Sequence, residues 1–68
     1  MNLIEGLQQE IKRVQEMIKD YEDPILNHAG YFASGIMRGS IIKAEKAIAE
    51  MDTIEMLKAY NELKEYEY

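Results

Sequence analysis

Hydrophobic residues recur at alternating steps of three and four over the first third of the chain, with Gln, Glu and Lys between them. This spacing places the apolar positions along one side of an α-helix and is typical of a packing seam between helices. Asn2 followed by Glu5 matches a helix-capping pattern, and Pro24 prevents the helix from continuing. We therefore predict a helix over residues 3–22 with a heptad seam of Ile4, Leu7, Ile11, Val14, Ile18 and Tyr21.

A broader face of apolar and small residues follows a connector over residues 24–30. It predicts a second helix over residues 31–50 whose packing face is Ala33, Ile36, Met37, Ser40, Ile41, Ala44, Ala47, Ile48 and Met51. Gly35 and Gly39 lie on the other side, and each costs about 1 kcal/mol relative to Ala inside a helix. That cost indicates close helix contact, a ligand that needs room, or a later start of the helix.

A sharp turn follows the second helix. Asp52 fits the N-cap of a third helix with Glu55 as its capping-box partner, and Met51 and Met56 fit a hydrophobic staple. The third helix, over residues 53–66, is expected to direct four side chains toward the second: Ile54, Leu57, Tyr60 and Leu63. We predict an all-α fold, a helical hairpin plus the heptad-patterned N-terminal helix, in a single domain over residues 1–68.

The size of the chain favours self-association. Domains below roughly 70 to 80 residues usually need a disulfide, a metal or a partner subunit to reach useful stability. The chain has 68 residues, no cysteine and one histidine, His28. We therefore expect a homo-oligomer whose coiled-coil interface is the heptad seam, although the same seam also fits a core inside one chain.

Few residues are suited to catalysis. Apart from His28, the candidates are three hydroxyl side chains without the context of a catalytic triad: Ser34, Ser40 and Thr53. The strongest carboxylate pairs lack the Glu-x-x-His spacing of metal sites in helical bundles and are expected on the solvated surface: Glu16 with Asp20, and Glu62 with Glu65. We expect no enzyme activity, no cofactor and no metal site.

The chain shows no signal for a membrane or for export. The N-terminus lacks a basic region followed by a long apolar stretch, and no run approaches the ~20 apolar residues of a membrane-spanning helix. The absence of cysteine fits a reducing compartment. We expect a cytoplasmic protein without membrane partners.

Charge is distributed unevenly around a net value of −5. Three basic side chains stand against six acidic ones in residues 1–23, three against one in residues 24–49, and two against six in residues 50–68. The overall acidity makes nucleic acid an unlikely partner, because phosphate-driven affinity requires several neutralising cations.

The basic centre suggests a ligand site on the second helix. Cations there could bind phosphate, while Tyr31 or Phe32 could stack on a base, so that an anionic, planar-ringed molecule such as a nucleotide would fit. The candidate ligand-binding residues are Tyr31, Phe32, Gly35, Arg38, Gly39, Lys43 and Lys46. The alternative is that the cations pair with the acidic flanks of a neighbouring helix or subunit.

Three segments of the chain, AGYFASGIM at 29–37, IIKAEKAIA at 41–49 and DTIEMLKAYNEL at 52–63, resemble a family of very small helical accessory proteins encoded by bacteriophages. The resemblance implies a factor that counters host anti-phage defence in the host cytoplasm. Some such factors are oligomeric sponges that sequester cyclic-nucleotide immune signals.

These observations support three functions. The first is a non-enzymatic homo-oligomer that binds and sequesters a small anionic ligand, such as a cyclic nucleotide immune signal. The second is an inhibitor or adaptor that docks an acidic helical surface onto a host defence protein. The third is an assembly factor in which the heptad helix is the whole purpose, which would bind no small molecule.

Overall fold

Three helices make up the computed structural model, which describes residues 2–23 and 28–67. Helix α1 spans Leu3–Tyr21, α2 spans His28–Ala49 and α3 spans Thr53–Lys64. Each helix packs against the other two, and no strand occurs in the described residues. The predicted all-α arrangement of three helices is confirmed.

Two of the helices begin where the sequence places their caps. The Asn2 side chain accepts a hydrogen bond of 2.8 Å from the backbone N–H of Glu5. The Asp52 side chain accepts one of 3.2 Å from the backbone N–H of Glu55. Each cap satisfies one of the backbone donors that the first helical turn leaves without an internal partner.

The second helix begins at His28, three residues before the predicted start. The prediction that residues 28–30 form part of a connector is therefore wrong, while residues 24–27 lie outside the described part of the chain. Gly30 is buried in the first turn of α2. A glycine at this position is compatible with a helix that packs closely at its start, so it does not mark a break.

The turn between α2 and α3 is a Schellman motif. The backbone N–H of Asp52 donates to the carbonyl of Ala47, and that of Met51 donates to the carbonyl of Ile48, both at 3.0 Å. Met51 takes the left-handed position of the motif with φ of 55°. Its side chain is 70% exposed whereas Met56 is buried, so the expected staple between them is not formed.

The heptad seam lies in the core of the single chain. Leu7, Ile11, Val14 and Ile18 are buried, and Ile4 and Tyr21 pack against the core at its edge. Helices α2 and α3 of the same chain cover this side of α1. The four buried residues follow the intramolecular alternative that the spacing left open, and the oligomer interface expected at these positions stays a prediction.

The other two helices contribute most of their predicted packing faces. On α2 the buried side chains include Met37, Ile41, Ala44 and Ala47, but Ile36 is half exposed. On α3 the buried residues are Met56, Ala59 and Leu63. These are spaced three and four apart and share one side of the helix, which leaves Ile54 and Leu57 on the opposite, exposed side.

Arg13 fixes the position at which α3 ends. Its guanidinium donates hydrogen bonds of 2.8 Å to the backbone carbonyls of Leu63 and Tyr66, and it also pairs with Glu10 at 3.1 Å. Carbonyls at a helix C-terminus have no partner within the helix and carry partial negative charge, so a cation stabilises them. This contact anchors the end of α3 against the middle of α1.

Candidate functional site: the outward face of the second helix

The N-terminal half of α2 extends beyond the third helix. Helix α2 has 22 residues and α3 has 12, so that at 1.5 Å per residue α2 is about 15 Å longer. The end of α3 reaches Ser40, whose hydroxyl contacts Glu62 and Tyr66. The part of α2 that precedes Ser40 therefore lacks a third helix beside it.

A continuous surface of apolar side chains and glycines results, which we call the outward face of α2: Tyr31, Phe32, Gly35, Ile36, Gly39 and Ile42. The exposed fractions of its large side chains are 51% for Tyr31, 75% for Phe32, 50% for Ile36 and 64% for Ile42. Isolated exposed apolar residues are ordinary, but a contiguous patch marks a surface that binds something. The patch is therefore the strongest candidate for a functional surface in the described part of the chain.

The two glycines of the outward face have no contact or backbone conformation among residues 2–23 and 28–67 that would require glycine. A methyl group placed on Gly35 or Gly39 would meet no neighbouring group within 4 Å. Neither glycine has a positive φ, so neither is needed for an unusual backbone conformation. The helix thus bears the cost of two interior glycines without an intramolecular benefit, which is consistent with close approach by another molecule.

Arg38 is bound to the carboxylate of Glu22, the residue that follows α1. Its guanidinium donates to Glu22 at 2.6 Å and 3.2 Å, and the Ser34 hydroxyl donates to the same carboxylate at 3.2 Å. The hydrogen bond from Arg38 lowers the pKa of Glu22, with a smaller contribution from Ser34. The same bond raises the pKa of Arg38. Arg38, which the sequence predicts to bind phosphate, is therefore already paired with the carboxylate of Glu22.

Lys43 faces the acidic third helix. Its ammonium lies 3.8 Å from a carboxylate oxygen of Glu62, which also accepts a 2.8 Å hydrogen bond from the Ser40 hydroxyl. Because Ser40 has one hydroxyl hydrogen, the 2.7 Å contact with Tyr66 has the tyrosine as donor. A chain of polar contacts therefore joins α2 to α3 through Tyr66, Ser40, Glu62 and Lys43. It contains no imidazole or thiol group.

The predicted ligand-binding residues do not converge in one pocket. Arg38 lines a depression of about 460 Å³ between α1 and α2, which also carries the carboxylates of Glu16, Glu22 and Glu45. Lys43 and Lys46 line a different depression of about 230 Å³, together with Glu50 and Glu55. Neither depression includes Tyr31, Phe32, Gly35 or Gly39. Carboxylates in both depressions oppose the binding of an anion.

The sequence interpretation missed the partners of the basic centre and one member of the apolar face. Glu22 pairs with Arg38 and Glu62 pairs with Lys43, and the hydroxyls of Ser34 and Ser40 hydrogen-bond these two carboxylates. The contrast in charge between the middle and the ends of the chain was the signal for this pairing. Ile36 was placed on the packing face. Ile36 is exposed because α3 does not extend along α2 as far as this residue. The spacing of hydrophobic residues in the sequence does not show where α3 ends.

Comparisons with known proteins identify no relative: no protein-family model, no curated protein and no solved structure matches the chain. Two further findings concern residues 2–23 and 28–67. No helix there is both long and apolar enough to cross a membrane. No group of three or more His, Cys, Asp or Glu side chains is arranged there to hold a metal ion.

Proposed function

We propose that the chain is a non-enzymatic protein-interaction module that docks onto a protein partner through the outward face of α2. The observation that carries the proposal is the coincidence of four exposed large apolar side chains with two interior glycines that no described neighbour requires. Aromatic residues are enriched at the centres of protein interfaces, where charged residues are depleted. The apolar face fits that composition better than the acidic surfaces of α1 and α3 do.

Site-specific photo-crosslinking in cells that produce the chain tests this proposal. A photoreactive amino acid replaces Phe32 on the outward face or Ile54 on α3, and the two side chains have similar exposure. We expect discrete cross-linked products from position 32 and only weak, heterogeneous products from position 54. The proposal fails if position 32 gives no discrete product, or if both positions give the same pattern.

A small anionic ligand is a second candidate. Lys46 forms no ion pair with any described residue, and it shares the exposed side of α2 with Tyr31. If a cyclic nucleotide bound there, sequestration of an immune signal in the host cytoplasm would be the corresponding anti-defence function. That role rests on the resemblance to phage proteins. The existing pairing of Arg38 and Lys43 with carboxylates places this candidate second.

Calorimetry distinguishes the second candidate from the first. Cyclic dinucleotides and ADP-ribose-type molecules are titrated into the chain at about 100 μM, a concentration at which even modest binders produce heat. Binding that is lost on Arg38→Glu with Lys46→Glu, but retained on Phe32→Gln, would favour a ligand protein. The absence of heat with every compound would remove the candidate.

A further inference from the structure

We propose that the outward face of α2 binds the same face of a second copy of this chain, with the two α2 helices crossing in antiparallel orientation at Gly35 and Gly39. This inference rests on the proposed function, because it names the occupant of the surface assigned there. It also moves the expected self-association from α1, whose seam is buried, to α2.

The antiparallel register makes the face self-complementary. A two-fold axis beside residue 37 sets Gly35 opposite Gly39 of the second copy. The same axis sets Phe32 opposite Ile42. Glycine meets glycine where the helices are closest, and an aromatic ring meets an aliphatic side chain on either side of them. A two-fold interface requires this kind of match between a surface and itself.

Charge favours the antiparallel orientation over the parallel one. In the antiparallel pair the two Lys43 residues are separated by about 18 Å along the helices at 1.5 Å per residue. Charges at that distance are largely screened, because the Debye length is about 8 Å at physiological ionic strength. A parallel pair would place Lys46, which forms no ion pair with any described residue, beside Lys46 of the second copy. Arg38 adds little repulsion, since Glu22 holds its guanidinium on the side toward α1.

The available area sets the strength of the pair. The exposed parts of Tyr31, Phe32, Ile36 and Ile42 amount to on the order of 400 Å² per copy, given roughly 200 Å² for a whole aromatic side chain. This is about half of the area that each partner buries in an interface of standard size. An interface of this size is weak and transient, so we expect a reversible dimer that dissociates at low micromolar concentration.

Cysteine cross-linking tests the register. The chain has no cysteine, so Gly35→Cys and Gly39→Cys each introduce one reactive group. The two variants are mixed, one of them isotopically labelled, and oxidised mildly. We expect the mixed 35-to-39 disulfide to exceed either symmetric disulfide by at least fivefold. Symmetric disulfides that form as fast as the mixed one would overturn the antiparallel register.

The control for collisional cross-linking is Ile54→Cys, which replaces an exposed residue of α3. We expect it to cross-link at least tenfold more slowly than the mixed glycine positions, because it lies outside the interface. Equal rates at positions 35, 39 and 54 would show that the copies meet at random. That result would overturn the inference.

Sedimentation equilibrium provides an independent measurement. Phe32→Gln and Ile42→Gln should each weaken the dimer at least tenfold, whereas Ile54→Gln should leave it unchanged. A chain that stays monomeric at 1 mM would overturn the inference. If it did so while position 32 still cross-linked to another polypeptide in cells, the proposed docking function would stand and only the second copy would be excluded. If position 32 gave no cross-linked product of any mass, both the docking function and the dimer would be excluded.

Discussion

Replacing both glycines of the outward face by alanine should stabilise the isolated chain. Alanine is favoured over glycine inside a helix by about 0.8 to 1.0 kcal/mol, because the glycine backbone loses more freedom on folding. The new methyl groups meet no neighbour within 4 Å at Gly35 or Gly39, so no steric term opposes this gain. Each gain comes from the backbone, and neither new methyl group has a described neighbour to couple it to the other, so the gains should sum to about 2 kcal/mol in the double variant.

Thermal unfolding measures this gain. For a domain of 60 to 100 residues, 1 kcal/mol corresponds to a shift in Tm of about 4 to 8 °C, so the double variant should melt about 8 to 16 °C higher. The measurement belongs at low micromolar concentration, below the expected dissociation constant of the dimer, so that it reports on the single chain. Chemical denaturation at the same concentration supplies the free energy of unfolding directly.

A matched variant separates helix propensity from a special role of these positions. Ala49 is an exposed helical residue at the end of α2, and Ala49→Gly should lower stability by no more than one of the glycine replacements raises it. The reasoning is refuted if Gly35→Ala with Gly39→Ala leaves stability unchanged or lowers it. The glycines would then serve the folded single chain, and their exposure would no longer indicate a binding surface.

Three further changes follow from individual contacts, and chemical denaturation measures each. Arg13→Gln should destabilise the chain by about 2 kcal/mol, because the charged donor to the end of α3 is lost; no change would mean that solvent replaces it fully. Met51→Gly should stabilise by about 1 kcal/mol, since glycine suits the left-handed position and the exposed Met side chain contributes little packing; a loss would show that this side chain packs. Because the pKa of Glu22 is lowered in the folded chain, its bond with Arg38 contributes stability at pH values above its ordinary pKa of 4.5. This contribution is lost as the pH falls through the pKa that Glu22 has in the folded chain. Glu22→Gln should therefore be less stable than the wild type at pH 7 and lose less on acidification to pH 3, and parallel pH profiles would contradict the argument.

Features of the fold that depend on local chemistry were predictable from the sequence. The heptad spacing of α1 and the caps at Asn2 and Asp52 act within a few residues, so the sequence contains all that determines them. The start of α2 was not predictable in this way. Gly30 suggests an end or a break, and its burial in the first turn is set by the packing of the helix against its neighbours.

The spacing of hydrophobic residues along a helix does not show which group covers its packing seam. The spacing of Leu7, Ile11, Val14 and Ile18 reports that these positions are buried, and it is the same whether a neighbouring helix or another subunit covers them. The exposure of Ile36 depends on a different fact, the short length of α3 and the position at which Arg13 anchors its end. Such three-dimensional relations decide which apolar residues remain for binding.

The location of the core changes the physical reason for self-association. A seam across subunits would make the second copy a condition for folding. Among the residues that the structure describes, twelve buried apolar residues form a core within one chain, and Leu7, Val14, Met17 and Leu63 are almost entirely enclosed by it. A partner on α2 would instead cover a surface that the folded chain already presents.

Binding and folding should therefore be separable by mutation. Phe32→Gln is expected to weaken association, while the free energy of unfolding of the single chain changes by no more than about 0.5 kcal/mol, as is usual for exposed positions. A variant that lost both together would return the interface to the core.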